Sequence, residues 1–121
     1  MGRPVSHQLD IYGTWLHVAT DRKAWSSLRR RIDSLAAIER YAIGFTSHDV
    51  DDDGQTHLSV FIHVDRLRGN PQGLTEIVAH EAAHAAGLLL DHIGQNYDGE
   101  SEALGYLVGF IAAYVWGVCD D

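Results

Sequence analysis

The chain has 121 residues and a mass of 13.4 kDa, which suits one domain spanning residues 1–121. Hydrophobic residues make up 45% and charged residues 21%, so we expect a packed core. The formal net charge of −8 argues against nucleic acid and anionic membranes as partners. The single cysteine excludes an internal disulfide, and the N-terminus lacks the apolar run of a signal peptide, so we expect a cytoplasmic protein.

The first third of the chain predicts one strand followed by one helix. Apolar residues alternate loosely from Gln8 to Val18, which is typical of a strand. Thr20 and Asp21 are candidate N-cap residues for a helix that runs to about Arg40. That helix carries one apolar stripe at spacings of three and four, formed by Trp25, Leu28, Ile32 and Leu35.

The middle of the chain predicts a β-hairpin. Two strand-like runs, 41–46 and 57–64, flank an acidic segment that contains Asp53-Gly54. This segment matches the first half of a calcium-binding loop, but the twelfth position is Val60 instead of glutamate, so we interpret it as a polar turn. In the second run, four apolar residues share one face and are expected to face helices: Leu58, Val60, Ile62 and Val64.

Two helices are predicted in the C-terminal half. The first runs from about Leu74 to His92, with Asn70 or Thr75 as its N-cap, and the second runs from about Glu100 to Val118. Residues 103–119 are uncharged, but they are short for a membrane span and lack flanking Lys or Arg. We therefore expect a buried helix of a soluble protein. Its stripe of small residues would let another backbone pack closely in a soluble core. A second subunit that covers part of this apolar helix would make the protein a homo-oligomer.

The segment His80-Glu81-Ala82-Ala83-His84 is an H-E-x-x-H motif. On a helix, His80 and His84 lie one turn and about 40° apart, so both imidazoles converge on one point. Glu81 lies at the shoulder of that face, too far round to bind the same ion but able to touch its water. Two neutral imidazoles that hold Zn²⁺ and a carboxylate that takes a proton are what zinc hydrolysis requires.

A catalytic zinc also needs a third protein ligand. The metzincin ligand position holds Leu90, which disfavours that class. Glu102 is the preferred ligand, because its separation from His84 is close to that in gluzincins and Tyr106 lies one turn further on. Glu100 points nearly the opposite way and suits the start of the helix instead. In the intervening loop, His92 and Tyr97 are candidates for stabilising an oxyanion.

Residues 76–110, with this motif, the acidic cluster 98–102 and the apolar run 103–109, resemble small zincin-type metallopeptidases encoded in phages and prophages. These are similar to a gluzincin reduced to one domain. We expect an α+β fold, with a small mixed or antiparallel sheet packed on the motif helix and two further helices. The helix that carries Trp25 is expected to pack against the same core as the motif helix.

The resemblance implies Zn²⁺ held by His80, His84 and Glu102, with Glu81 as the base. Tyr106, one turn after Glu102, is the candidate for a second catalytic residue.

The sequence therefore predicts a zinc-dependent hydrolase, most simply a peptidase acting on a peptide or protein substrate. A second enzymatic interpretation keeps the metal and assigns another bond, such as a cell-wall amide. A non-enzymatic interpretation is a catalytically silent zinc-binding module of a phage, either part of the virion or interacting with the host. Substitution of Glu81 separates these functions, because only hydrolysis depends on its carboxylate.

Overall fold

The computed structural model describes residues 2–9, 12–94 and 102–120, except for the side chains of residues 102 and 103. This part of the chain forms a small α+β domain, as predicted. The strands are β1 (Val5–Leu9), β2 (Thr14–Ala19), β3 (Gly44–Val50) and β4 (Thr56–Ile62), and the helices are α1 (Arg22–Arg31), α2 (Pro71–His92) and α3 (Glu102–Asp120).

The four strands form one mixed sheet in the order β1-β2-β4-β3. The central strands β2 and β4 are parallel, and each pairs with an antiparallel outer strand. The parallel pair is joined by a crossover that contains α1 and β3. The residue pattern within one strand does not predict which strand it pairs with, because the pairing depends on contacts between distant segments.

The prediction of one strand from Gln8 to Val18 is wrong. The segment contains the end of β1 and most of β2, which pair antiparallel with Val5 opposite Val18. Gly13 has a φ of +63°, a conformation that reverses the chain at little cost only for glycine. The loose alternation of apolar residues therefore spans parts of two strands instead of one.

Polar side chains cap α1 and α2 at their N-termini, as predicted. The Asp21 carboxylate accepts a hydrogen bond of 2.8 Å from the Ala24 backbone N–H. The Asn70 side chain accepts one of 3.0 Å from the Gly73 N–H, and Pro71 occupies the first turn of α2. Each cap satisfies a backbone donor that has no partner within the helix.

The prediction that α1 continues to about Arg40 is wrong, since the helix ends at Arg31. The backbone of Ile32 is extended, and the chain then folds back so that the Trp25 indole donates a 2.8 Å hydrogen bond to the Ala36 carbonyl. Asp and Ser, which follow Ile32, favour turns over helix interiors. The fold-back buries the last two residues of the predicted stripe, Ile32 and Leu35.

The predicted hairpin is present, although its strands have different ends. β3 continues to Val50, and β4 ends at Ile62, before a short 3-10 helix over Val64–Leu67. Asp51 closes the turn, because its Oδ1 accepts hydrogen bonds of 2.9 Å from the backbone N–H groups of Asp53 and Gln55. Such carboxylate-to-backbone bonds are typical of Asx turns.

α2 and α3 pack against each other and extend beyond the predicted bounds in opposite directions. α2 begins three residues before Leu74, and α3 ends at Asp120. The predicted start of α3 at Glu100 lies outside the described residues. None of the helices in the described part of the chain combines the length and apolar character needed to cross a membrane.

The sheet carries a separate apolar cluster on each face. On one face, α2 and α3 cover the first cluster, in which Leu58, Val60 and Ile62 are fully buried, as predicted. On the opposite face, Ala19 and Phe61 contact α1. The prediction that the Trp25 helix shares the core of the motif helix is therefore wrong, because alternating residues of β4 point to opposite faces.

Next to the α1 cluster, the same face of the sheet carries buried polar groups. His17 is 5% exposed, and Asp49 accepts hydrogen bonds from the hydroxyls of Ser34 (2.8 Å) and Ser47 (2.6 Å). Burial, the adjacent His57 and the Arg31 cation lower the pKa of His17 to about 4. A histidine of such low pKa stays neutral in the folded protein at neutral pH.

We predict that the free energy of unfolding decreases as the pH falls from about 6.5 towards 4. In this window the unfolded chain protonates His17 and the folded chain does not. Urea denaturation at several pH values should show a shallower decrease for His17→Gln. Burial and His92 also lower the pKa of His48, so some pH dependence should remain. Equal slopes for the two proteins would contradict the prediction.

Candidate active site

The two histidines of the motif lie on the solvent side of α2. Both side chains are exposed, and their Nε2 atoms are 3.1 Å apart. Two nitrogens on one tetrahedral Zn²⁺, at bond lengths of about 2.0–2.1 Å, lie roughly 3.3 Å apart. The separation between His80 and His84 is close to that value, and it also suits a hydrogen bond between neutral imidazoles. The pair is therefore able to supply two metal ligands.

Glu81 lies on the opposite side of α2 from solvent and is 5% exposed. Its Oε1 accepts a 2.7 Å hydrogen bond from the hydroxyl of Thr46 on β3. The same hydroxyl lies 3.3 Å from the Glu81 backbone carbonyl. A buried carboxylate is costly unless its oxygens are hydrogen-bonded. Thr46 supplies such a partner and fixes the orientation of the carboxylate.

Glycine at position 44 leaves room for this carboxylate. A methyl group on Gly44 would lie 2.8 Å from Glu81 Oε2 and 3.0 Å from Ile77 Cγ2. Both distances are shorter than ordinary van der Waals contacts. β3 can therefore approach α2 at this point only because residue 44 has no side chain.

His84 also lines a groove between α2 and α3 with a volume of about 330 Å³. Leu104 and Val108 contribute its α3 wall, and Asp91 lies at the far end, two helical turns from His84. Most of the lining is apolar, with His84 and Asp91 as its ionisable groups. The groove gives a ligand access to one of the two histidines.

The predicted third ligand lies outside the described residues. Glu102 is the first residue of α3, but its side chain is not described, and neither is Glu100. Within the described ranges, no group of three or more His, Cys, Asp or Glu side chains is placed to hold a metal. The described part of the site therefore consists of two imidazoles and the adjacent buried carboxylate.

The structure does not bring the other predicted residues to the histidine pair. Tyr106 is 78% exposed and lines a different groove, beside His7 of β1. His92 lies at the end of α2, where its ring centroid is 4.5 Å from that of His48. Tyr97 lies outside the described residues.

Sequence reasoning missed Thr46 and Gly44, which both position Glu81. The one available signal was Gly44 inside the predicted strand 41–46, since a glycine within a strand often marks a close backbone approach. Nothing in the sequence near Thr46 distinguishes it from other strand threonines. Its role depends on a contact with a residue 35 positions away.

Comparison of the chain with models of known protein families, with curated proteins and with solved structures found no match.

We predict that Thr46→Val lowers the free energy of unfolding by about 1–3 kcal/mol, because it leaves a buried carboxylate oxygen without its donor. Thr46→Ser keeps the hydroxyl and should cost less. The matched control is Thr75→Val on the exposed side of α2, where we expect a change below about 0.5 kcal/mol. Equal losses for Thr46→Val and Thr75→Val in denaturant titrations would show that the contact with Glu81 adds no stability.

Proposed function

We propose that this protein is a zinc-dependent hydrolase of the zincin type that cleaves peptide bonds. The proposal depends on one observation above all: an exposed pair of imidazole nitrogens 3.1 Å apart lies on the same helix as a buried, hydrogen-bonded glutamate. The resemblance of residues 76–110 to small zincin-type metallopeptidases supports it.

In this proposal, His80 and His84 hold the metal, and Glu102 is the third ligand. When bound, zinc would lower the pKa of a water molecule and polarise the scissile carbonyl. Neutral imidazole suits this role because it donates a nitrogen lone pair and carries no charge to be neutralised. The exposure of both histidines leaves room for a substrate on the solvent side of the metal.

Glu81 serves as the base. Its Oε1 accepts a hydrogen bond from Thr46 and its Oε2 faces Gly44 on the buried side of α2, so the carboxylate must turn towards the histidine side of the helix to take the proton of the attacking water. The carboxylate then returns that proton to the amine that leaves.

The sheet edge next to Glu81 suits an extended peptide. Among the described strands, β3 pairs with β4 alone and so forms one edge of the sheet. A peptide that adds to this edge would run past the strand that carries Thr46. An edge of this kind favours peptides over cell-wall glycans or small esters as substrates, although a peptide linked to a cell-wall amide would also fit.

The alternative is a zinc-binding module without turnover. It rests on the same pair of imidazoles, which can hold an ion whether or not a substrate is turned over. The expected self-association through α3 belongs equally to both functions and stays a prediction. The exposed residues of that helix include Tyr106 and Phe110.

We expect purified protein to contain about one Zn²⁺ per chain. The double variant His80→Ala/His84→Ala should lose it, because both described ligands are removed. Elemental analysis after desalting measures the ratio, and the variant His7→Ala is the control for loss of an unrelated exposed histidine. Undiminished zinc in the double variant would place the metal elsewhere.

Glu81→Gln should retain zinc and lose peptidase activity by at least about a hundredfold, because glutamine keeps the shape but cannot accept the proton. The measurement is cleavage of a mixed peptide library, with zinc content determined on the same sample. Cleavage at the wild-type rate would exclude Glu81 as the base. A wild-type protein that binds zinc but cleaves no peptide would favour the alternative function.

Glu102→Gln should weaken zinc binding at least about tenfold, whereas Glu100→Gln should change it little. The reason is that residues two apart on a helix point nearly opposite ways, so one carboxylate at most can reach the ion. Titration with a competing chelator compares the two variants. A larger effect of Glu100→Gln would assign the third ligand to that residue.

A further inference from the structure

A chain of four hydrogen-bonded side chains crosses the sheet on the face opposite α2. It begins at a serine on β1, passes through one histidine on β2 and another on β4, and ends at an aspartate in the β3–β4 turn. The distance from Ser6 Oγ to His17 Nδ1 is 2.7 Å, and the distance from His17 Nε2 to His57 Nδ1 is 2.9 Å. The last hydrogen bond, between His57 Nε2 and Asp51 Oδ2, is 2.8 Å long.

The carboxylate at the end of the chain sets the direction of every hydrogen bond in it. The hydrogen bond from His57 lowers the pKa of Asp51 below its usual value, so this group is an ionised acceptor. When the His57 ring carries one proton, that proton is on Nε2, which donates to Asp51, and Nδ1 accepts from His17 Nε2. By the same reasoning, His17 Nδ1 accepts the proton of Ser6. All hydrogens in the chain therefore point towards Asp51.

The hydrogen-bonded side chains are buried to different degrees, and the exposure of Ser6 makes it accessible to a substrate. The Ser6 side chain is exposed, whereas His17 is 5% exposed and the His57 side chain 12% exposed. Burial, His57 and Arg31 keep His17 neutral by lowering its pKa to about 4. His17 therefore passes a proton onwards to His57, whose positive charge Asp51 can balance.

We propose that Ser6 is a nucleophile that accepts acyl groups from esters, independently of any metal at His80 and His84. Ser6 Oγ forms a bond to the ester carbonyl carbon, and the bond from that carbon to the alcohol oxygen breaks. The Ser6 proton moves to His17 Nδ1, while the proton on His17 Nε2 moves to His57 Nδ1. Reversal of these two transfers delivers one proton to the leaving alcohol.

The proposal commits to esters, since an alkoxide or phenolate leaves with less help from an acid than an amine does. Water then hydrolyses acyl-Ser6 by the same proton path and restores the hydroxyl. If these hydrogen bonds had only a structural role, they would hold the four side chains equally well. They would, however, make Ser6 no more reactive than any other exposed serine.

The test uses p-nitrophenyl acetate and, as a trap, an alkyl fluorophosphonate that forms a stable adduct with nucleophilic serines. Peptide mass spectrometry of the labelled protein should place the adduct on Ser6, and Ser6→Ala should abolish it. Ser26→Ala, at an exposed serine of α1, should leave labelling unchanged. Glu81→Gln should also label normally, which separates this site from the proposed zinc site.

Asp51→Asn is the decisive variant because it keeps Oδ1 for the turn and replaces Oδ2 with an N–H donor. A donor at this position reverses the direction of all three hydrogen bonds, so that His17 Nδ1 carries a proton and donates to Ser6. Labelling should slow at least about tenfold, and imidazole ¹⁵N shifts should show both rings changing from Nε2–H to Nδ1–H.

Labelling of Ser6 at the wild-type rate in Asp51→Asn, despite the tautomer change, would overturn the proposal. Absence of any Ser6 adduct in the wild-type protein would overturn it as well.

Discussion

The pleat of the two central strands, β2 and β4, sends successive side chains to opposite faces of one sheet. Val60 therefore belongs to the cluster beneath α2 and α3, while its neighbour Phe61 packs against α1 on the other side. The rest of the molecule follows from this division. The motif helix must lie on one face, and the buried histidine chain must lie on the other.

The contact between α2 and β3 fixes the orientation of the Glu81 carboxylate. Every other residue on the buried side of α2 is apolar, and burial there would favour an apolar residue at this position too. Glu81 is instead held by the Thr46 hydroxyl in a space that Gly44 leaves open. In the proposed function, this carboxylate takes part in proton transfer.

The two proposed sites have opposite arrangements. In the first, the histidines are exposed and the carboxylate is buried; in the second, the reactive serine is exposed and the histidines are largely covered. A metal site needs imidazoles that an ion and a substrate can reach. A proton path needs imidazoles that water cannot reach, because water would compete for each hydrogen bond.

Features that depend on neighbours along the chain could be predicted from the sequence. The spacing of His80 and His84 indicates a shared helical face, and Asn70 was one of the two candidate N-caps for that helix. The Asp-Gly turn of the hairpin and the alternation from Leu58 to Ile62 belong to the same class. In each case the interaction joins residues within about one helical turn or one tight turn.

Tertiary structure decided everything that requires contact between distant segments. The apolar stripe that ends at Leu35 looks like a longer helix, because a segment folded back on α1 buries residues at similar intervals. The parallel pairing of β2 with β4 joins residues 42 positions apart at Thr14 and Thr56. Local periodicity records which residues are buried but not what buries them. The partners of Glu81 and of His17 were therefore decided by the packed fold alone.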